Sequence, residues 1–341
     1  MGGYLGSKSR VLVTGGSGFI ASHIIDVLLS NGFEVVTTAR SDEKGRNILE
    51  SASPTQRQNL SYVIVDDVAK DGAFDHVFQK EQACGYVIHT ASPFHLNVQD
   101  PIKDFLDPAI KGTIGVLKSA KAYAPSVKRV VITSSSAAMI NPLKHAKVYD
   151  ESCWAPWTWE DASDPQKTYV TSKVLSEKAA WAFMETEKPN FDLAVINCTF
   201  TFGPVQRNLP SLEAINTSNQ RIRDMVQGKM RDGLPSTAPV FTFIDVRDVA
   251  TAHLRALAVP EAGGNRFYII GGHFSNWRVA NVIRNSFPEL ADRLPPLDGE
   301  DDLPADVYKF DNSKSKKVLG LEYTSLEKSV GDTVRSILSK M

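Results

Sequence analysis

Tyr169 and Lys173 stand four residues apart in the run Thr168-Tyr-Val-Thr-Ser-Lys173. On a helix this spacing puts a phenol and an ammonium on one face, a turn apart. A nearby cation favours the phenolate, so the pair is expected to draw the tyrosine below its ordinary pKa of about 10. A phenol placed in this way gives and takes a proton at a carbonyl or alcohol oxygen. Many helices carry the spacing without doing chemistry, as a half-buried tyrosine beside a solvated lysine. The N-terminal run Val11-Leu-Val-Thr-Gly-Gly-Ser-Gly-Phe-Ile20 favours the chemical reading, because it supplies a cofactor site for the pair.

In that run Val11–Thr14 reads as a strand, Gly15-Gly16-Ser17-Gly18 as a turn, and Phe19–Leu29 as an apolar-faced helix. Gly15 permits the tight turn, and Gly18 lets a pyrophosphate approach the backbone at the helix N-terminus. Ala21 leaves room for close helix–sheet packing. A glycine pattern that opens a βαβ unit is a dinucleotide fingerprint, whereas a bare one is an ordinary turn. The second strand ends Thr38-Ala39-Arg40-Ser41, with no acid for a ribose 2′-hydroxyl. Arg40, assisted by Lys44, suits a 2′-phosphate, which predicts NADPH; Asp42 argues the other way.

The elements that must position these groups alternate along the first two-thirds of the chain. Strands are expected at Arg10–Thr14, Phe33–Ala39, Leu60–Val65, Tyr86–Thr90, Arg129–Thr133 and Leu193–Asn197. Most are nearly continuous apolar runs, as in strands buried on both faces of a parallel sheet. Helices are expected near 18–30, 42–51, 73–81, 104–124 and 165–187, with Asn31-Gly32 as a C-cap for the first. The pattern predicts an α/β fold: a Rossmann-type doubly wound parallel sheet with right-handed crossovers. After Gly203-Pro204, Pro and Gly become frequent, and strands are short (Phe241–Val246, Arg266–Ile270). Residues 1–200 therefore read as an NADP-binding domain and 201–341 as a smaller substrate-binding lobe, with 240–250 returning to the first domain.

The formal charge of −1 and the lack of a basic stripe give nucleic-acid binding no electrostatic support. Cys84, Cys153 and Cys198 are sparse, odd in number and without metal spacing, which suits a reducing, cytoplasmic setting. No apolar run is of membrane-spanning length. The end Ser339-Lys340-Met341 is one step from a peroxisomal address, with a frayed basic helix end as the alternative. The helices near 104–124 and 165–187 suit either a monomer, whose sheet they cover, or a homodimer bundle.

The fifth strand ends Val130-Val-Ile-Thr-Ser-Ser-Ser-Ala137, and ligands of parallel sheets sit outside such carboxyl ends. With the glycine turn, this serine cluster and Tyr169/Lys173 in order, the chain resembles the extended short-chain dehydrogenase/reductases. It is most similar to their dihydroflavonol-reductase-like branch, and there to fungal NADPH-dependent aldehyde and ketone reductases of the methylglyoxal-reductase type. His89-Thr-Ala-Ser-Pro-Phe94, Phe202-Gly-Pro204, Asn216-Thr-Ser218 and Phe243-Ile-Asp-Val-Arg-Asp-Val249 carry the likeness further. The resemblance implies that Ser135 hydrogen-bonds the substrate carbonyl, with Ser134 and Ser136 as alternatives. It implies that Tyr169 protonates that oxygen and that Lys173 holds the nicotinamide ribose. Asp67 would contact the adenine, and Thr90, Ala91 and Ser92 would line the cofactor. The implied cofactor contacts extend to Ser17, Phe19, Ile20, Val68, Thr133, Cys198 and Thr199. Two positions depart from the family pattern. Ala109 stands where an asparagine often holds a relay water, and Cys198 stands where proline is usual.

The implied substrate is a small carbonyl compound. Ala137-Ala-Met-Ile140 lacks the acid pair of sugar-nucleotide dehydratases, and no arginine occurs between Lys173 and Gly203. The expected pocket is apolar and aromatic: Phe94, Met139, Phe200 and Phe202, with Trp157 and Trp159 beside them. The reading is an NADPH-dependent carbonyl reductase acting on aldehydes, 2-oxoaldehydes or ketones. A hydroxysteroid- or flavonoid-type alcohol dehydrogenase with the same triad is the alternative, and a non-catalytic NADP sensor the alternative from another class.

Overall fold

Successive residues of the first strand pack on opposite sides of a sheet. Val11 and Val13 join Ile24, Leu28 and Val249 in one apolar cluster, while Leu12 joins Phe74, Val116 and Phe183 in another. A strand with apolar residues on both faces belongs inside a covered parallel sheet. The computed structural model describes residues 9–81, 83–91, 100, 105–207, 209–297 and 299–341.

In chain order the strands are β1 (Arg10–Thr14), β2 (Glu34–Ala39), β3 (Leu60–Ile64), β4 (Cys84–His89), β5 (Arg129–Ser135) and β6 (Val148–Tyr149). They continue with β7 (Asp192–Cys198), β8 (Phe200–Phe202), β9 (Thr242–Asp245), β10 (Asn265–Ile269), β11 (Gly272–His273) and β12 (Lys309–Phe310). Seven form one sheet in the order β10-β7-β5-β4-β1-β2-β3, and every neighbouring pair is parallel. The helices Phe19–Ser30 and Val246–Ala258 cover one face, and Asp107–Tyr123 and Thr168–Glu187 cover the other. The first helix ends where expected, with Asn31 as C-cap and Gly32 at φ +81°.

Segment 240–250 divides: the helix from Val246 covers a face of the large sheet. Thr242–Asp245 does not enter the large sheet; it pairs parallel with β8 and antiparallel with β11 in a three-stranded sheet. The strand that does return is β10, beside β7, with Phe267 and Tyr268 fully buried. It is an edge strand, yet consecutive residues are buried on both of its faces. A separate apolar core joins Phe202, Phe243 and Phe274 to the helices Thr217–Val226, Asn276–Ser286 and Leu326–Leu338.

Candidate active site

The chain leaves the sheet at edge strand β3 and re-enters at β4, on the other side of β1. That reversal opens a crevice at the carboxyl ends of β1 and β4, where open α/β sheets bind ligands. A cleft of about 880 Å³ lies there.

Gly15 turns the chain at φ +73°, a left-handed conformation that other residues rarely adopt. At Gly16 a Cβ would lie 2.1 Å from Oγ1 of Thr37, so no side chain fits. Thr38 pins the turn: its hydroxyl accepts the Gly15 amide and its carbonyl the Gly16 amide, each at 3.0 Å. The helix Phe19–Ser30 then starts at Gly18 with no side-chain cap and no acid in its first turn. By contrast, Ser41, Ser275 and Ser325 each cap the helix that follows. An uncapped helix start lined by Gly15, Ser17, Gly18, Phe19 and Ile20 is a seat for a phosphate.

Arg40, exposed at the end of β2, lines the same cleft. Asp42, the residue that argued for NADH, is engaged elsewhere: it accepts the Tyr62 hydroxyl at 2.6 Å and pairs with Arg46. The chain thus offers this end of the cleft a cation. Asp67 and Val68 line it from β3, and Thr90 and Ala91 line it from β4. Lys44 is exposed on the helix Asp42–Ser51 and does not line the cleft, because its helix leads it away from Arg40.

At the other end stand Thr133, Ser135, Tyr169, Lys173, Cys198 and Thr199. Tyr169 and Lys173 occupy the first turns of the helix Thr168–Glu187, with Nζ of Lys173 5.8 Å from the centre of the tyrosine ring. Ser135 hydrogen-bonds the Tyr169 side chain, whereas Ser134 donates to Glu177 at 2.5 Å. The Tyr169 pKa moves opposite to the expectation. Burial pushes it up to about 12, and the Ser135 hydrogen bond only partly opposes the rise. Burial also holds Lys173 below the ordinary lysine value. Desolvation of the phenolate sets the direction of the shift, although a cation lies over the ring. Tyr169 is therefore a protonated phenol at neutral pH.

The apolar wall differs in detail from the sequence reading. Phe200 lines the cleft, but Met139 packs with Tyr149, Tyr268 and Tyr308 in a buried cluster behind it. The short turn Ser136–Ala138 carries Met139 inward and leaves Ile140 at the surface of the cleft. Phe202 is wholly buried, Trp157 is core beside Val174, and Trp159 is exposed away from the cleft. Ser92 and Phe94 lie outside the described residues. Sequence reasoning missed Val170, Thr217, Ser218 and Val240 as lining residues. Asn216-Thr-Ser218 was visible only as a stretch shared with the family, and nothing local shows that the helix it begins faces the cleft.

A profile of the NAD dependent epimerase/dehydratase family matches residues 11–271. The chain belongs to that family. Within the epimerase/dehydratase family it is 55% identical over 331 residues to the ketoreductase azaE of Aspergillus niger, covering 97% of this chain and 98% of that one. It is 38% identical to the NADPH-dependent methylglyoxal reductase GRE2 of Saccharomyces cerevisiae, covering 96% and 98% of the two chains. The crystal structure of yeast methylglyoxal/isovaleraldehyde reductase Gre2 complexed with NADPH superposes with a TM-score of 0.90 at 37% identity. That match covers 97% of this chain and 98% of the yeast chain. Among the described residues, no helix is long and apolar enough to cross a membrane.

Proposed function

We infer that this protein is an NADPH-dependent carbonyl reductase that converts aldehydes, 2-oxoaldehydes or ketones to alcohols. One observation carries the reading: a protonated Tyr169, hydrogen-bonded to Ser135, faces a dinucleotide-shaped cleft whose far end presents Arg40, with Asp42 engaged by Tyr62 and Arg46. The likeness to a ketoreductase and to a methylglyoxal reductase over nearly the whole chain supports it.

The cleft fits the cofactor by its own construction. Gly15, at φ +73°, makes the tight turn that brings the backbone to the cleft, and the uncapped helix start seats the pyrophosphate. Arg40 takes the 2′-phosphate through its planar fork of donors. Bound NADPH supplies a hydride to the carbonyl carbon. Ser135 donates a hydrogen bond to the carbonyl oxygen, where negative charge develops. Tyr169 gives the same oxygen its phenolic proton. Lys173 holds the nicotinamide ribose, and its charge steadies the phenolate left after the proton has gone. Ser134 is committed to Glu177, and the hydrogen bond of Ser135 to Tyr169 favours Ser135 over Ser136 as the serine that serves the substrate.

Residues 1–200 thus carry the cofactor, joined by the helix Val246–Ala258 and β10, and later residues wall the substrate end. The test is nicotinamide absorbance, followed with NADPH or NADH across aldehydes, diketones and ketones. NADPH consumption that depends on the carbonyl supports the reductase. Tight NADPH binding without turnover would indicate a sensor, and a preference for oxidising bulky alcohols would indicate the dehydrogenase.

A further inference from the structure

Two loop segments wall the end of the cleft that holds Ser135 and Tyr169: Ile140 and Pro142 lie on one, and Val240 on the other. The first follows Ser135 through the short turn Ser136–Ala138. The second arrives from a distant part of the chain, and its Phe241 packs with Ile140 in one buried cluster. None of the three lining residues lies in a strand or a helix. Their positions therefore depend on the partners that the neighbouring backbone N–H and C=O groups find.

Those partners come from three rings. Oη of Tyr149 accepts the amides of Asn141 and Ala146, each at 3.1 Å, and Asn141 stands between Ile140 and Pro142. Tyr308 accepts the amide of Phe241 at 3.0 Å. His145 donates from Nε2 to the carbonyl of Pro239 at 2.9 Å. Pro239 and Phe241 are the two neighbours of Val240, so Val240 is held from both sides. The rings also hold one another. His145 stacks on Tyr308 with 4.4 Å between ring centres, and Tyr149 meets Tyr308 edge-on at 5.3 Å. Tyr149 belongs to β6, which pairs with β12 just beyond Tyr308, so this small sheet brings the rings together. None of the rings lines the cleft itself. Purely apolar rings would fill the same space; the polar atoms add a fixed place for the backbone beside each lining residue.

We propose that His145, Tyr149 and Tyr308 are positioning residues for substrate selection. They clamp Ile140, Pro142 and Val240 into an apolar wall on which the larger substituent of the carbonyl compound packs. Thr217 and Ser218 offer the cleft hydroxyls instead, so an apolar substituent gains most on the clamped side. This assignment rests on the carbonyl-reductase reading, and it states how that reductase tells a large carbonyl compound from a small one.

The test compares propanal with 3-phenylpropanal in wild type, His145→Phe, His145→Gln and Tyr308→Phe. Wild type is expected to favour the larger aldehyde in kcat/KM. His145→Phe keeps a ring on Tyr308 and loses the donor to Pro239. Its KM for 3-phenylpropanal is expected to rise about 3- to 10-fold, the span of one ordinary hydrogen bond. Its kcat, its KM for propanal and its NADPH affinity are expected to change little, as for a loss of substrate binding alone. Tyr308→Phe is expected to act in the same direction. His145→Gln restores a donor near the place of Nε2 and is expected to return towards wild type. Unchanged discrimination in both phenylalanine variants would overturn the clamp and leave the reductase standing. An equal loss for both aldehydes would also overturn it, because a general loss of structure does not select by size. Calorimetric binding of propanamide and 3-phenylpropanamide to the NADPH-loaded protein reads the wall without turnover. Weaker binding of the larger amide in His145→Phe, with no carbonyl turned over by wild type, would keep the clamp and remove the reductase. Equal binding of the two amides to wild type would count against the wall.

Discussion

Ser134 donates its hydroxyl proton to Oε2 of the buried Glu177 at 2.5 Å, while its neighbour Ser135 turns to Tyr169. Glu177 lies one helical turn past Lys173 and is 1% exposed. It also accepts Nδ2 of Asn197 at 2.7 Å and Nε of Arg266 at 2.5 Å. Asn197 in β7 lies opposite Ser134 in β5, so one carboxylate ties two central strands to the helix that carries Tyr169. Three consecutive serines could each have faced the substrate. The buried acid takes one of them out of the choice.

This network makes a stability prediction. Arg266→Met leaves Glu177 buried without its counter-ion, which is expected to cost about 3–5 kcal/mol. Joining it with Glu177→Leu is expected to cost less than the sum of the single changes, because no uncompensated charge remains. Urea denaturation of the four proteins in the cycle checks this, and strict additivity would mean the pair is not coupled.

The cofactor preference rests on Arg40. Arg40→Ala is expected to raise the KM for NADPH about 10- to 100-fold, the effect of losing a charge-assisted contact. The KM for NADH is expected to change little, since that cofactor brings no 2′-phosphate. Steady-state kinetics with both nucleotides decides it; an equal effect on the two would place Arg40 elsewhere.

Tyr169→Phe is expected to lower kcat at least about 100-fold, the low end of general acid catalysis, with NADPH binding retained by fluorescence titration. Burial raises the phenol to about 12, so its proton stays in place through neutral and mildly alkaline pH. Carbonyl reduction should therefore hold steady over that range and fall only as pH approaches the raised value. Alcohol oxidation needs the phenolate and should rise with pH.

Two buried histidines predict how the fold responds to acid. His89 is pushed down to about 3 and His253 to about 4, both by burial. At His253, Nδ1 faces the Val249 carbonyl at 2.8 Å and so carries the proton, leaving Nε2 to accept the Thr133 hydroxyl at 2.7 Å. Below the ordinary value of 6.5 the unfolded chain takes up protons that the folded chain refuses. Their stabilisation is full above pH 6.5 and is lost as pH falls towards 4, at about 1.4 kcal/mol per unit for each histidine. Chemical denaturation between pH 7 and pH 5 tests this, and His253→Gln should remove that one histidine's share of the slope.

Much of this arrangement was legible in the sequence because its signals are local. The glycine turn, β1 at Arg10–Thr14 and the helix Asp42–Ser51 have the expected bounds, since strand, turn and cap chemistry lie within a few residues of each other. The cleft then gathers Gly15, Arg40, Asp67, Ser135, Tyr169 and Lys173 from five separated stretches. What could not be read depends on distant partners. The tyrosine pKa is governed by burial, which spacing does not report. Met139 looked like wall and is core, because a three-residue turn decides which way it points. Glu177 looks like a helix-surface acid, and only the return of β10 brings Arg266 to it. Arg221 resembles any solvated helix cation until the three phenylalanines are folded around it.

The most direct test of the central claim follows one atom. Wild-type protein is given NADPH deuterated at the transferable nicotinamide position, together with an apolar aldehyde, and the alcohol is analysed by mass spectrometry. The account predicts an alcohol with one deuterium on the former carbonyl carbon, formed by wild type and nearly absent with Tyr169→Phe. An unlabelled alcohol, or labelled alcohol formed equally well by Tyr169→Phe, would contradict it.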